Sequence, residues 1–135
     1  MKKSDGINGE NNLSITLLGI EAEKKARIFL KEKGYELQQI DWIGKRDNLY
    51  TIFEVKIKEL FTPPPFLGTG LDKTQIYLRM QLFKDVSIRT YLMVYEKGTD
   101  NLYGQYLDVL EETEYHDTEK NIRLYNINEF KKIKI

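Results

Sequence analysis

The chain has no cysteine, one histidine and one tryptophan among its 135 residues. Without thiols it has no disulfide, no thiolate metal site and no cysteine nucleophile. One imidazole cannot build a multi-histidine zinc site, and His116 lies in the polar run Glu114-Tyr-His-Asp-Thr118, where a surface place suits it. Net charge is also missing: 21 basic residues balance 21 acidic ones, so no whole-molecule field recruits a polyanion, and a nucleic-acid surface has to be a local patch. No apolar run approaches the ~20 residues of a membrane helix. The start, residues 1–12, has no apolar signal core. A soluble, cytoplasmic chain with no membrane partner is expected.

What is present reads as a loose tail over residues 1–12 and one domain over 13–135. Leu18, Ala22, Ala26, Phe29 and Leu30 recur at helical spacing, which predicts a helix from Ser14 to Lys33 closed by Gly34. Glu23 falls at the border of that stripe and Glu21 outside it. Tyr35 to Ile43 is predicted as a strand, Gly44 to Asn48 as a turn, and Leu49 to Lys58 as a second strand. Phe61 to Gly70 holds all three prolines and two glycines, which predicts a loop. Asp72 offers an N-cap to a helix over Lys73–Lys84, with Ile76, Met80 and Phe83 inward and Gln75 and Arg79 on an adjacent line. Ile88–Glu96 reads as a strand buried on both faces, and Leu102–Val109 as its hairpin partner. Leu110–Asn121 is an acidic excursion, Ile122–Tyr125 a short strand, and Asn128 the cap of a last helical turn. The order predicts an α/β or α+β domain around a mixed central sheet flanked by helices.

The chemistry concentrates between Asp41 and Lys56. Alternation from Leu49 to Lys58 sends Phe53, Val55 and Ile57 to one face and Glu54, Lys56 and Lys58 to the other. A carboxylate and an ammonium two residues apart then share a side on which a cation can be held. Glu-x-Lys by itself says little, because it occurs also at Glu23/Lys25 on a helix and at Glu129/Lys131 near the end. Only Glu54/Lys56 lies on a strand, where this spacing gives a common face; on a helix it does not. Pairing Ile43 with Tyr50 sets Asp41 opposite Ile52 and diagonal to Glu54, and a one-residue slip would turn Asp41 away.

Asp41, twelve intervening residues and Glu54-Val-Lys56 in a strand–turn–strand setting resemble the PD-(D/E)XK nuclease superfamily. Gly19-Ile-Glu-Ala-Glu23 is similar to the helix that often adds an acid before the sheet, and Gln75 to the polar residue on the helix that follows the motif. Ile40 stands where that pattern has proline. The resemblance covers roughly residues 17–96 and implies a restriction-endonuclease-like core that hydrolyses phosphodiester bonds in DNA, with RNA the other candidate. It implies Mg²⁺ or Mn²⁺ on Asp41, Glu54, the Val55 carbonyl and Glu23. Lys56 would orient or deprotonate the attacking water, and Gln75 would position a ligand water or the phosphate. Hard, oxygen-loving ions suit such carboxylates. Lys45, Arg46, Lys56 and Lys58 form the local basic cluster, with Arg79 expected at a neighbouring phosphate. A homodimer or a protein partner would supply targeting.

Rival readings remain at each position. Glu54 and Lys56 also fit a solvated cross-strand pair, and Asp47 fits a turn role. The domain can instead be a non-catalytic nucleic-acid-binding module, its tyrosines stacking bases. It can also be an interaction module whose Pro63–Pro65 loop and tyrosine-rich hairpin bind a polypeptide.

Overall fold

The structure is a computed structural model that describes the backbone of residues 9–134 and the side chains of residues 17–134. It divides into two compact units, Met1–Gln39 and Ile40–Ile135. In the first unit, helix α1 spans Gly9–Glu32, so residues 9–12 of the expected tail are helical; residues 1–8 lie outside the described residues. Helices extend cheaply once nucleated, and no proline stands in the way. Gly34, at φ 94°, ends it as expected, with the Tyr35 N–H donating to the Leu30 carbonyl at 3.1 Å. No described helix is long and apolar enough to cross a membrane.

The second unit opens with strands β1 (Trp42–Arg46) and β2 (Leu49–Lys58). Their hairpin turns on Asp47 and Asn48 alone, both left-handed at φ 54° and 64°, the geometry of a two-residue primed turn. The tight turn corrects the expected pairing by two residues: Ile43 meets Ile52 rather than Tyr50, and Tyr35–Asp41 is outside the strand. A shift of two keeps every side chain on its face. The remaining elements are β3 (Gly68–Asp72), α2 (Lys73–Val86), β4 (Arg89–Glu96), β5 (Leu102–Tyr106), α3 (Leu107–Leu110), β6 (Tyr115–Asp117), β7 (Ile122–Asn126), a 3₁₀ turn over Ile127–Glu129 and β8 (Lys131–Ile133). The cap of that turn is Asn126, whose Oδ1 accepts from the Asn128 N–H at 2.9 Å, in place of the expected Asn128.

Five strands form a mixed sheet in the order β1-β2-β4-β5-β8, and β3-β7-β6 form a second, antiparallel sheet. The pair β2–β4 is parallel, joined by the crossover that carries α2, so the class is α+β with a mixed central sheet, as expected. Asp72 caps α2, accepting from the Thr74 N–H at 2.8 Å, and Ser87 ends it at φ 60°. Leu71, Ile76, Leu92, Val94, Leu107, Leu110, Tyr125 and Phe130 pack into the core. Strand β4 buries Thr90, Leu92 and Val94 while Tyr91, Met93 and Tyr95 are half-buried, so only one of its faces is sealed.

Gly68-Thr-Gly70 was expected to be loop but is strand, with all three residues buried. The glycines serve close approach here: a Cβ on Gly70 would collide with the Arg123 carbonyl oxygen of β7, and one on Gly68 with that of Tyr125. Gly70→Ala is therefore expected to cost roughly 1–3 kcal/mol, since backbone has to yield. A lowered urea midpoint would register it, and an unchanged midpoint would contradict this packing.

Candidate functional site

The alternation along β2 assigns its faces as predicted, and the enclosed face is the charged one. Ile52 and Glu54 are each 1% exposed, whereas Val55 and Ile57 on the other face are exposed. A carboxylate so enclosed must be bonded, because desolvating it alone is costly. α2 provides the partners from positions 75 and 79, one turn apart on one line of the helix. Gln75 Nε2 donates to Glu54 Oε2 at 3.0 Å. Arg79, only 2% exposed, donates to Glu54 Oε1 through Nε at 3.1 Å and through Nη2. Lys56 Nζ stands 3.8 Å from Glu54 Oε2 and keeps 30% of its side chain in solvent. One carboxylate thus gathers two cations and an amide from two elements.

Asp41 lies in a bend just before β1, where pairing to β2 stops at Trp42 opposite Phe53. Its Oδ2 accepts from the Val55 N–H at 3.0 Å, so the side chain continues the ladder that the β1 backbone leaves off. A strand residue directs its N–H and C=O to the same side, so the Val55 carbonyl faces that same edge. Asp41 and the Val55 carbonyl therefore share one edge of β2, next in sequence to Glu54.

Lys58 is half-buried and donates to the Gly70 carbonyl at 2.8 Å, tying β2 to β3. Burial, with nearby Lys56 adding repulsion against the opposing pull of Asp72, lowers its pKa below the usual lysine value. Lys45 and Arg46 are exposed at the hairpin tip and border an open cleft of about 610 Å³ with Phe53, Tyr91 and Tyr106. Lys45 pairs with Tyr50, roughly 13 Å along the strand from Glu54 at ~3.3 Å per residue. Glu23 is exposed on α1, in the N-terminal unit. Among the described residues, no three or more carboxylate or imidazole side chains cluster as a metal nest.

Arg79 is placed differently from its expected role at a phosphate, for it is inside and bonded to Glu54. A signal for this was available. Arg79 follows core residue Ile76 by three positions and precedes Met80, so it lies towards the inward line of α2, where an arginine needs a counter-charge.

No protein-family model and no curated protein sequence matches this chain. Among solved structures, the chain is similar to Hjc, a Holliday junction resolvase from the archaeal hyperthermophile Archaeoglobus fulgidus, at 15% identity and a TM-score of 0.41. That match covers 68% of this chain and 69% of the other. At such a distance the likeness says nothing about activity.

Proposed function

We propose that this chain is a metal-assisted nuclease of the PD-(D/E)XK kind, hydrolysing phosphodiester bonds in DNA. The observation that carries this reading is the convergence on Glu54 of Lys56 from its own strand and Gln75 from the following helix, with Asp41 fastened to the intervening Val55. A surface ion pair would not need such enclosure.

The donor set fits a hard divalent cation such as Mg²⁺ or Mn²⁺. Glu54 Oε2, the Asp41 carboxylate and the Val55 carbonyl are all oxygen donors, and Mg²⁺ is ordinarily held by one or two carboxylates, with waters and phosphate oxygens completing its shell. When bound, the ion supplies charge neutralisation and a more acidic water. The chain's own part is positioning and proton handling. Gln75 donates to Glu54 Oε2, and Lys56 faces the attacking water, orienting it or stabilising the charge that develops on the phosphate. Lys45 and Arg46, exposed at the hairpin tip, offer cations to the nucleic-acid backbone.

The full chain with Mg²⁺ or Mn²⁺ is expected to nick or degrade DNA, and EDTA to stop it. Lack of turnover on DNA and RNA in both ions would overturn the proposal. The enclosure of Glu54 by Arg79 favours a second reading, a non-catalytic nucleic-acid-binding module on the same fold. That module would bind DNA without divalent metal, weaken steeply with salt and turn nothing over.

A further inference from the structure

Arginine–carboxylate pairs are commonly fork to fork, with two N–H groups reaching two oxygens. The Glu54–Arg79 pair is not. Arg79 Nε and Nη2 both go to Oε1, while Oε2 receives Gln75 Nε2 and faces Lys56 Nζ. The two oxygens of one buried carboxylate are thereby made inequivalent: one is held by a rigid, planar cation, and the other looks toward the partly exposed lysine.

We propose that Arg79 is a positioning residue that locks Glu54 by Oε1, so that Oε2 alone is presented beside Lys56. This rests on the nuclease reading of the same site. Neutralising Glu54 would not require this arrangement, because any buried cation would serve. Fixing the rotation of its carboxylate does require it, since the guanidinium holds its donors in one plane, whereas an ammonium is a flexible point charge. Packing supports the lock: Arg79 is the largest fully buried side chain among the described residues, so it has little room to swing with its partner.

Arg79→Lys in the full chain separates orientation from charge. It leaves Glu54 a counter-ion but removes the planar hold. Isothermal titration with Mn²⁺ is expected to show affinity weakened by about 10–100-fold, the usual effect of losing a residue that orients a ligand. DNA cleavage is expected to fall with it, while circular dichroism shows the fold retained. A purely structural role would lower the melting temperature and leave the Mn²⁺ affinity of the folded protein unchanged, and that result overturns the proposal while the nuclease reading stands. Failure of the parent chain to bind Mn²⁺ removes the nuclease reading and this role together. Should Arg79→Lys not fold, the Arg79 Nε–H resonance of the parent decides during an Mg²⁺ titration. It is expected to shift and stay protected from water exchange. Fast exchange on saturation would mean that Glu54 has left Arg79, and the lock would be refuted.

Discussion

Glu54→Ala is expected to lower the unfolding free energy by roughly 3–5 kcal/mol, the cost of breaking a buried ion pair from one side. The loss comes from what remains behind. Arg79 is 2% exposed, and its Nε and Nη2 would face the space left by the carboxylate. Against a typical total of about 5–15 kcal/mol for a domain, that is a large share. Urea unfolding should show the fall directly. The pair as a whole is another matter: Glu54→Leu combined with Arg79→Met removes both charges, and such exchanges are often neutral or stabilising. The double variant is therefore expected to be more stable than Glu54→Ala, and to cleave nothing. A double variant no better than the single would mean that Arg79 relies mainly on other partners and that the ion pair is not the source of the loss. For the same reason, loss of cleavage in Glu54→Ala alone cannot separate chemistry from unfolding.

The shared face of Glu54 and Lys56 was legible in the sequence; the bonds made there were not. Alternation from Leu49 to Lys58 identified β2 and placed Glu54 and Lys56 on one face, because a strand has a period of two whatever it packs against. Asp72 as the cap of α2 was also readable, since a helix needs such an acceptor locally. The hairpin register was missed by two residues because Asp47 and Asn48 both take left-handed backbone, and many residues around Gly44–Asn48 are acceptable turn formers. Its parity held, and parity is what decides faces. Gly68–Asp72 was misread because glycine signals either looseness or close approach, and only the β7 backbone beside it decides which. Which face of β2 would be covered depends on where the crossover carries α2, a long-range fact that no local pattern contains. For Arg79, its place beside the core line of α2 called for a counter-charge, and only the crossover identifies Glu54 as that partner.

Lys56→Ala is expected to reduce cleavage by roughly 10²–10⁴-fold, the range for a group that moves or orients a proton in the rate-limiting step. It should do so with little change in stability, which makes it the cleaner probe of chemistry. Lys56 Nζ is 3.8 Å from Glu54 Oε2, beyond ordinary hydrogen-bond length, and 30% of its side chain is in solvent. Glu54 already has Arg79 as a closer cation and Gln75 as a neutral donor, so deleting Lys56 leaves no unpartnered charge inside. Partly exposed pairs of this kind contribute about 0–1 kcal/mol. The two readouts are thus expected to diverge: kcat at saturating Mg²⁺ collapses while the melting temperature hardly moves. A variant that unfolds earlier and loses activity only in proportion would make Lys56 a counter-charge for Glu54. A variant that cleaves as fast as the parent would remove the lysine from the mechanism and leave the handling of the water to another group.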